Sequence, residues 1–259
     1  MIGKAEGIVV RTTDYGEANK ILTVYTREAG KVSMMARGAK KSKSRFTAVS
    51  QLFTYGYFLY RVGSGMGSLQ QGDLINSFRA VREDLTKTAY AVYLAELLDR
   101  LTEDKEPNQY LFDMMLYALK WMEEGKDPDI IARLFEMKML YVAGCRPQFD
   151  VCRGCGVEEA PFFVSIHEGG FVCQSCQRDD PSLMAVSSGT VRILRLLQHI
   201  NMPQLGNVSV KPETKEQLRC VLYAFFEDCT GLYLKSRRFL DQIEQMGLSP
   251  VSEQAQNES

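Results

Sequence analysis

Two closely spaced cysteine pairs constrain this chain more than anything else in it. Cys152 and Cys155 form one Cys-x-x-Cys, and Cys173 and Cys176 form a second after seventeen intervening residues. Two tight turns joined by a short hairpin can bring four soft sulfur donors to the corners of a tetrahedron. The spacing falls inside the Cys-x2-Cys-x15–20-Cys-x2-Cys template for zinc. A single Cys-x-x-Cys leaves redox chemistry or a disulfide open, whereas two at this spacing point to one structural zinc per chain. Four thiolates close the coordination shell, so no position remains for a catalytic water. Such a site holds a fold together and says nothing of turnover. Arg146, Arg153 and Arg178 lie beside the cysteines in sequence and are candidates to offset the negative charge of a four-thiolate centre.

The chain's 259 residues are long enough for two or three units, each with its own core. No apolar run approaches the roughly 18 residues of a membrane span, and Met1–Gly7 carries neither a signal-peptide nor a transit-peptide pattern. A cytoplasmic protein is expected, and seven cysteines with four on a metal suit a reducing compartment. The other three, Cys145, Cys220 and Cys229, read as small buried apolar residues.

A net charge of −1 conceals a strong asymmetry. Residues 1–80 carry twelve Lys and Arg against five Asp and Glu, and no acid occurs between Glu28 and Asp73. Seven cations fall in that gap: Lys31, Arg37, Lys40, Lys41, Lys43, Arg45 and Arg61. Segregation of this kind points to a polyanion bound by the N-terminal part.

The first eighty residues read as β. Runs rich in Val, Ile, Thr and Tyr recur at Ala5–Thr12, Asn19–Thr26, Gly30–Gly38, Phe53–Arg61 and Gly67–Phe78. Five short strands suit a small closed barrel; an OB-fold and an SH3-like barrel both fit the count, and the strand order stays open. From Val81 the period becomes helical, with faces at Leu94, Leu97, Leu98 and Leu101, then Leu111, Met114, Met115 and Leu119, then Ile130, Ile131, Leu134 and Phe135. The metal-binding insertion spans 144–181. Helical pattern resumes at Ser187 or Ser188, and a long final helix follows Pro212, carrying Leu218, Val221, Leu222, Phe225 and Leu232. The expected organisation is thus α+β: a barrel over 1–80, a helical domain over 81–143 and 182–248, the insertion within it, and a disordered polar tail over 249–259.

Enzymatic motifs are missing. Gly63, Gly65 and Gly67 read as a hairpin turn, because the dinucleotide fingerprint needs a glycine where Ser68 stands and a helix after it. There is no Walker-type nucleotide site and no Gly-x-Ser-x-Gly elbow. His167 lies between the cysteine pairs, but four sulfurs already complete a shell; His199 reads as a helix-surface or packing residue. No catalytic residue and no nucleotide cofactor are expected.

The segment from Arg37 to Phe46 is where nucleic acid would bind. Arg37, Lys40, Lys41, Lys43 and Arg45 place five cations in nine residues, with small residues between them that leave the backbone flexible and serine hydroxyls that add phosphate donors. Phe46, Phe53, Tyr55, Tyr57, Phe58 and Tyr60 are nearby aromatics; alternation sets Tyr55 and Tyr57 on one face and Phe58 and Tyr60 on the other, with core packing the default for either set. A second cluster, Lys235, Arg237 and Arg238, lies late in the expected last helix, where cations also serve as dipole partners.

The segment Ala36-Arg37-Gly38-Ala39-Lys40-Lys41-Ser42-Lys43-Ser44-Arg45, a helical body interrupted by the cysteine pairs, and Lys235-Ser236-Arg237-Arg238-Phe239-Leu240 occur in an order that resembles the bacterial recombination mediator family RecO. The resemblance covers nearly the whole chain. It implies an N-terminal OB-fold, an α-helical domain and a zinc finger that some members of the family lack. It also implies a DNA repair and homologous recombination mediator that binds single- and double-stranded DNA and anneals complementary strands without ATP. The partners it implies are RecR, the acidic C-terminal tail of single-strand-binding protein and, through them, RecA; the location it implies is the nucleoid. The competing reading is a zinc-containing RNA-binding or transcription-associated adaptor built on the same barrel. Annealing of coated DNA distinguishes the mediator, and a preference for 2′-hydroxyl-bearing ligands the adaptor.

Overall fold

Alternation of apolar and polar side chains drives the N-terminal part into strands whose inner faces meet in one core. The computed structural model describes residues 1–63, 65–177, 180–206 and 208–245; the expected tail over 249–259 lies outside them. The strands are β1 (Ile2–Tyr15), β2 (Asn19–Thr26), β3 (Gly30–Ala36), β4 (Tyr55–Arg61) and β5 (Gly67–Asn76). In β3, Val32, Met34 and Ala36 point inward while Lys31, Ser33 and Met35 face outward. These inner residues pack with Val9, Leu22, Val24 and Phe58.

Closure decides the topology. The order is β1-β2-β3-β5-β4, with β1 pairing both β2 and β4 and with β3 meeting β5 in parallel at Met34 and Met35. This is the closed five-stranded OB-fold, and it settles the order that strand count leaves open between an OB-fold and an SH3-like barrel. A barrel this small needs close backbone approach. A Cβ on Gly7 would stand 2.5 Å from a Val24 methyl, so only glycine fits there.

The chain divides into two compact units, the first comprising Met1–Lys126 and the segment from Leu234 through the last helix, the second Asp127–Tyr233. Compaction therefore parts the chain after Lys126 and before Leu234, whereas the change from β to helical texture falls near residue 80. In the first unit α1 (Arg79–Glu83), α2 (Leu85–Leu101), α3 (Gln109–Glu123) and α7 (Lys235–Gln245) accompany the barrel. Asp84 caps α2 by accepting from the Lys87 amide. At the other end of α2, Lys31 Nζ donates to the carbonyls of Asp99 and Thr102 at 2.7 and 2.8 Å. A cation at a helix C-terminus is favourable, so Lys31 serves the fold and drops out of the polyanion-binding set.

The second unit contains α4 (Pro128–Val142), α5 (Ser188–His199), α6 (Pro212–Thr230) and the small sheet β6 (Phe162–Ser165), β7 (Gly170–Cys173), β8 (Met184–Ala185), ordered β7-β6-β8. Pro128 and Asp127 start α4, with the Asp127 carboxylate accepting from the Asp129 amide. Arg133 and Glu136 on α4 are fully buried and paired at 2.9 Å, with Asp129 on the other side of the guanidinium at 3.1 Å.

Two expectations are corrected here. The long helix after Pro212 ends at Thr230, where Gly231 adopts φ 58 as a left-handed C-terminal residue. Leu232 thus lies outside it, and the basic cluster opens a separate helix, α7, instead of closing α6. The three remaining cysteines are not buried apolar residues. Cys145, just past α4, is half-buried, Cys229, in the last turn of α6, is exposed with its Cα 6.4 Å from that of Cys145, and Cys220 is exposed with its thiol beside Glu216. Cys220 and Cys229 lie off the apolar stripe of α6, whose buried apolar residues are Leu218, Val221, Leu222, Phe225 and Phe226.

Candidate functional site

Two tight turns bring the four cysteines together. In the first, Cys152-Arg153-Gly154-Cys155-Gly156, the Gly156 amide returns to the Cys152 carbonyl at 2.9 Å, with Gly156 at φ 75. The second, Cys173–Cys176, leaves the end of β7 and closes as a 3₁₀ turn. All four sulfurs lie within 4.8 Å of one another, and Cys155 Sγ is 3.7 Å from Cys173 Sγ. A tetrahedral zinc with Zn–S bonds of about 2.3 Å needs sulfur–sulfur edges of about 3.8 Å, so the four residues fit that ion. His167 is exposed and stands outside the group.

Electrostatics support the same fit. Burial alone would raise the Cys152 thiol, but the amides of Cys173, Cys155 and Gly154 outweigh it and bring it down to about 6. Hydrogen bonds with Cys155 and Cys173 push Cys176 up to about 12. Sulfurs packed this closely ionise together only when a cation shares them. Arg153 directs its Nε at the Glu168 carbonyl, 3.0 Å away; Arg146 is exposed, and Arg178 lies outside the described residues.

Gly154 leaves room for the second turn. A Cβ there would stand 2.8 Å from the Cys176 Cβ and 2.9 Å from its sulfur. Gly154→Ala should therefore push a ligand out of place and lower metal affinity by about tenfold or more, on the scale of other disturbances just outside a ligand set. Competition with a chromophoric chelator measures it; unchanged affinity would show that the turn has slack.

The basic segment lies between β3 and β4. It is a chain of turns and not a flexible tether: Lys41, Ser44 and Thr47 amides donate to Gly38, Lys41 and Ser44 carbonyls at 3.1, 3.0 and 3.2 Å. Ala39, Phe46 and Val49 tuck into the barrel core and hold the cations outside. These bonds and contacts set where the cations stand along the barrel surface. The segment also rests on the β1–β2 turn, where the Gly38 amide donates to Asn19 Oδ1 at 2.8 Å and the Lys40 amide to the Ala18 carbonyl at 3.0 Å.

Four of the five cations converge. Arg37, Lys41, Lys43 and Arg45, with Ser42 and Ser44, line a cleft of about 680 Å³ whose other wall is Ser68–Gln70 on β5. No acid lines it, and among the described residues these four cations have no carboxylate partner. Lys40 differs: its ammonium is 2.7 Å from Asp14, whose carboxyl that hydrogen bond holds below its ordinary value. The wall formed by Ser68 and Gln70 escapes sequence reasoning, since neither carries charge and only strand pairing brings β5 to the segment.

Among the aromatics, Phe46, Phe53, Phe58 and Tyr60 are core residues, and Tyr55 gives its hydroxyl to Glu6. Only Tyr57 is exposed, with the Lys4 ammonium 5.4 Å from its ring. The second cluster separates as well. Lys235 and Arg238 are exposed at the start of α7, where Glu96 accepts from the Lys235 and Ser236 amides at 3.4 and 2.8 Å. Arg237 is buried, paired with Asp241 at 3.0 Å and lying over Tyr93.

Comparison with known proteins agrees with this architecture. The family model described as Recombination protein O N terminal matches residues 1–78, and Recombination protein O C terminal matches residues 82–238. The chain is 49% identical over 252 residues to the DNA repair protein RecO of Halalkalibacterium halodurans, covering 97% of this chain and 99% of that one. It is 52% identical over 246 residues to the DNA repair protein RecO of Bacillus subtilis, covering 95% and 96%. No helix among the described residues is long and apolar enough to cross a membrane.

Proposed function

The chain belongs to the RecO family of DNA repair proteins, and from that premise we propose that it acts without catalytic turnover as a recombination mediator. It binds single- and double-stranded DNA, anneals complementary strands, and with RecR helps load RecA onto strands coated by single-strand-binding protein, whose acidic tail it contacts. One observation carries this reading: a cleft with four unpaired cations and no acid, held rigidly against an OB barrel. Annealing brings two polyanions together, and a fixed cationic surface lowers their repulsion without reading bases. Arg37, Lys41, Lys43 and Arg45 take the phosphates, Lys40 joins them when Asp14 releases it, and Lys235 and Arg238 extend the charged surface. One zinc on Cys152, Cys155, Cys173 and Cys176 supports the fold of the second unit.

The test is annealing of complementary strands coated by single-strand-binding protein, with no ATP. The protein should accelerate it, and should capture RecR and the coating protein's tail in pull-down. No acceleration at any protein concentration, or tighter binding to RNA than to DNA, overturns the reading.

A further inference from the structure

The nucleic-acid reading uses charge alone, yet an exposed aromatic stands next to that charge. Tyr15 ends β1 at the turn into β2 and is 55% exposed. No hydrogen bond or ring contact engages its side chain among the described residues. In the β1–β2 ladder Tyr15 sits directly opposite Asn19. Directly opposed residues share a face, with Cβ atoms about 4.5–5.5 Å apart. Asn19 is the residue whose Oδ1 holds the Gly38 amide, at the root of the cationic segment. The ring and the phosphate-binding surface are therefore presented on one side of the barrel.

From this placement we propose that Tyr15 is a nucleobase-stacking platform that takes an unpaired base of single-stranded DNA whose phosphates lie along Arg37–Arg45. This rests on the nucleic-acid reading above and adds the part of the ligand that charge does not recognise. Asp14 beside the ring is already engaged by Lys40 at 2.7 Å and faces Lys20 across the ladder, so the ring adds an uncharged contact at the edge of the cationic surface. Exposure of this size at a hairpin tip adds little to the core, while the β1–β2 loop is one of the places where OB-folds take oligonucleotides. Stacking also separates single strands from duplex, in which the bases are already stacked on one another.

Binding of a labelled oligothymidylate, an abasic strand of equal length and a duplex tests this, read by fluorescence anisotropy across a salt series. Tyr15→Ala should weaken the oligothymidylate by about 5- to 150-fold, the range of a single base–aromatic stack. Its salt slope and its affinities for the abasic strand and the duplex should stay at the unsubstituted values, and Tyr15→Phe should restore oligothymidylate binding. Tyr15→Trp supplies a second readout: the chain's one native tryptophan, Trp121, is buried, so quenching on adding oligothymidylate reports the new ring. Unchanged oligothymidylate affinity for Tyr15→Ala, or equal losses on all three ligands, overturns the stacking platform while leaving phosphate binding in place. If the unsubstituted protein binds none of the three, the nucleic-acid reading itself falls.

Discussion

Cys173→Ser should remove the metal and unfold the small sheet with its two turns, leaving the barrel unit folded. Within itself the module has little else to hold it: strands of four, four and two residues around a ring cluster of Phe149, Phe162 and Phe171. Structural zinc contributes on the order of 10–16 kcal/mol at neutral pH, against roughly 5–15 kcal/mol for the net stability of a whole domain. Cys173 is buried, ends β7 opposite Phe162, and its amide donates to Cys152 Sγ at 3.2 Å, so ligand and strand fail together. Metal content should fall from one zinc per chain to none. Limited proteolysis should open new sites between residues 150 and 176, while the fragment carrying residues 1–126 stays resistant. A variant that keeps its zinc, or an unsubstituted protein that never contains any, contradicts the account.

The consequences reach the helices through Arg195 on α5. Its guanidinium donates to the carbonyls of Phe149, Asp150 and Glu158 and lies 5.5 Å from the Phe162 ring. Gln198, one turn on, accepts from the Phe149 amide at 2.8 Å. These contacts fasten the cysteine module to α5 through backbone amides and carbonyls, which carry no signal in a sequence.

That difference explains what is legible in the chain and what is not. The β2 strand reads as Asn19–Thr26 from its residues and occupies those bounds in the fold, because alternation and flanking turns are local properties. The four sulfurs are legible for the same reason: spacing within two turns sets their geometry. Partner choice across long separations is not local. Lys40 looks equivalent to Lys41 in sequence, yet Asp14, on another strand, engages only Lys40. Arg237 has Asp241 visible one turn ahead, but its burial depends on Tyr93 in α2. Two misread features did carry local signals. Gly231 marks the end of α6, and the apolar spacing of Ala39, Phe46 and Val49 marks a segment that packs instead of flexing.

Neutralising Lys41, Lys43 and Arg45 together, as K41Q/K43Q/R45Q, should flatten the log–log salt dependence of single-strand binding by about 2, at roughly 0.7 for each lost phosphate contact. All three line the acid-free cleft and are exposed, so their removal leaves the barrel core and the metal untouched. Affinity should drop alike on unrelated DNA sequences, since phosphate contacts position the backbone and do not read bases. Annealing should slow with it. Lys40 predicts a contrast. With its ammonium on Asp14, K40Q alone should change the slope less than K41Q, and Asp14→Asn should steepen it by roughly 0.7 by releasing one more cation. The two signs separate a phosphate-binding surface from a loss of structure, because unfolding cannot strengthen binding. Wild-type slope and annealing rate in the triple variant would remove the cleft from the binding site. Loss confined to one DNA sequence would make it a reader of bases.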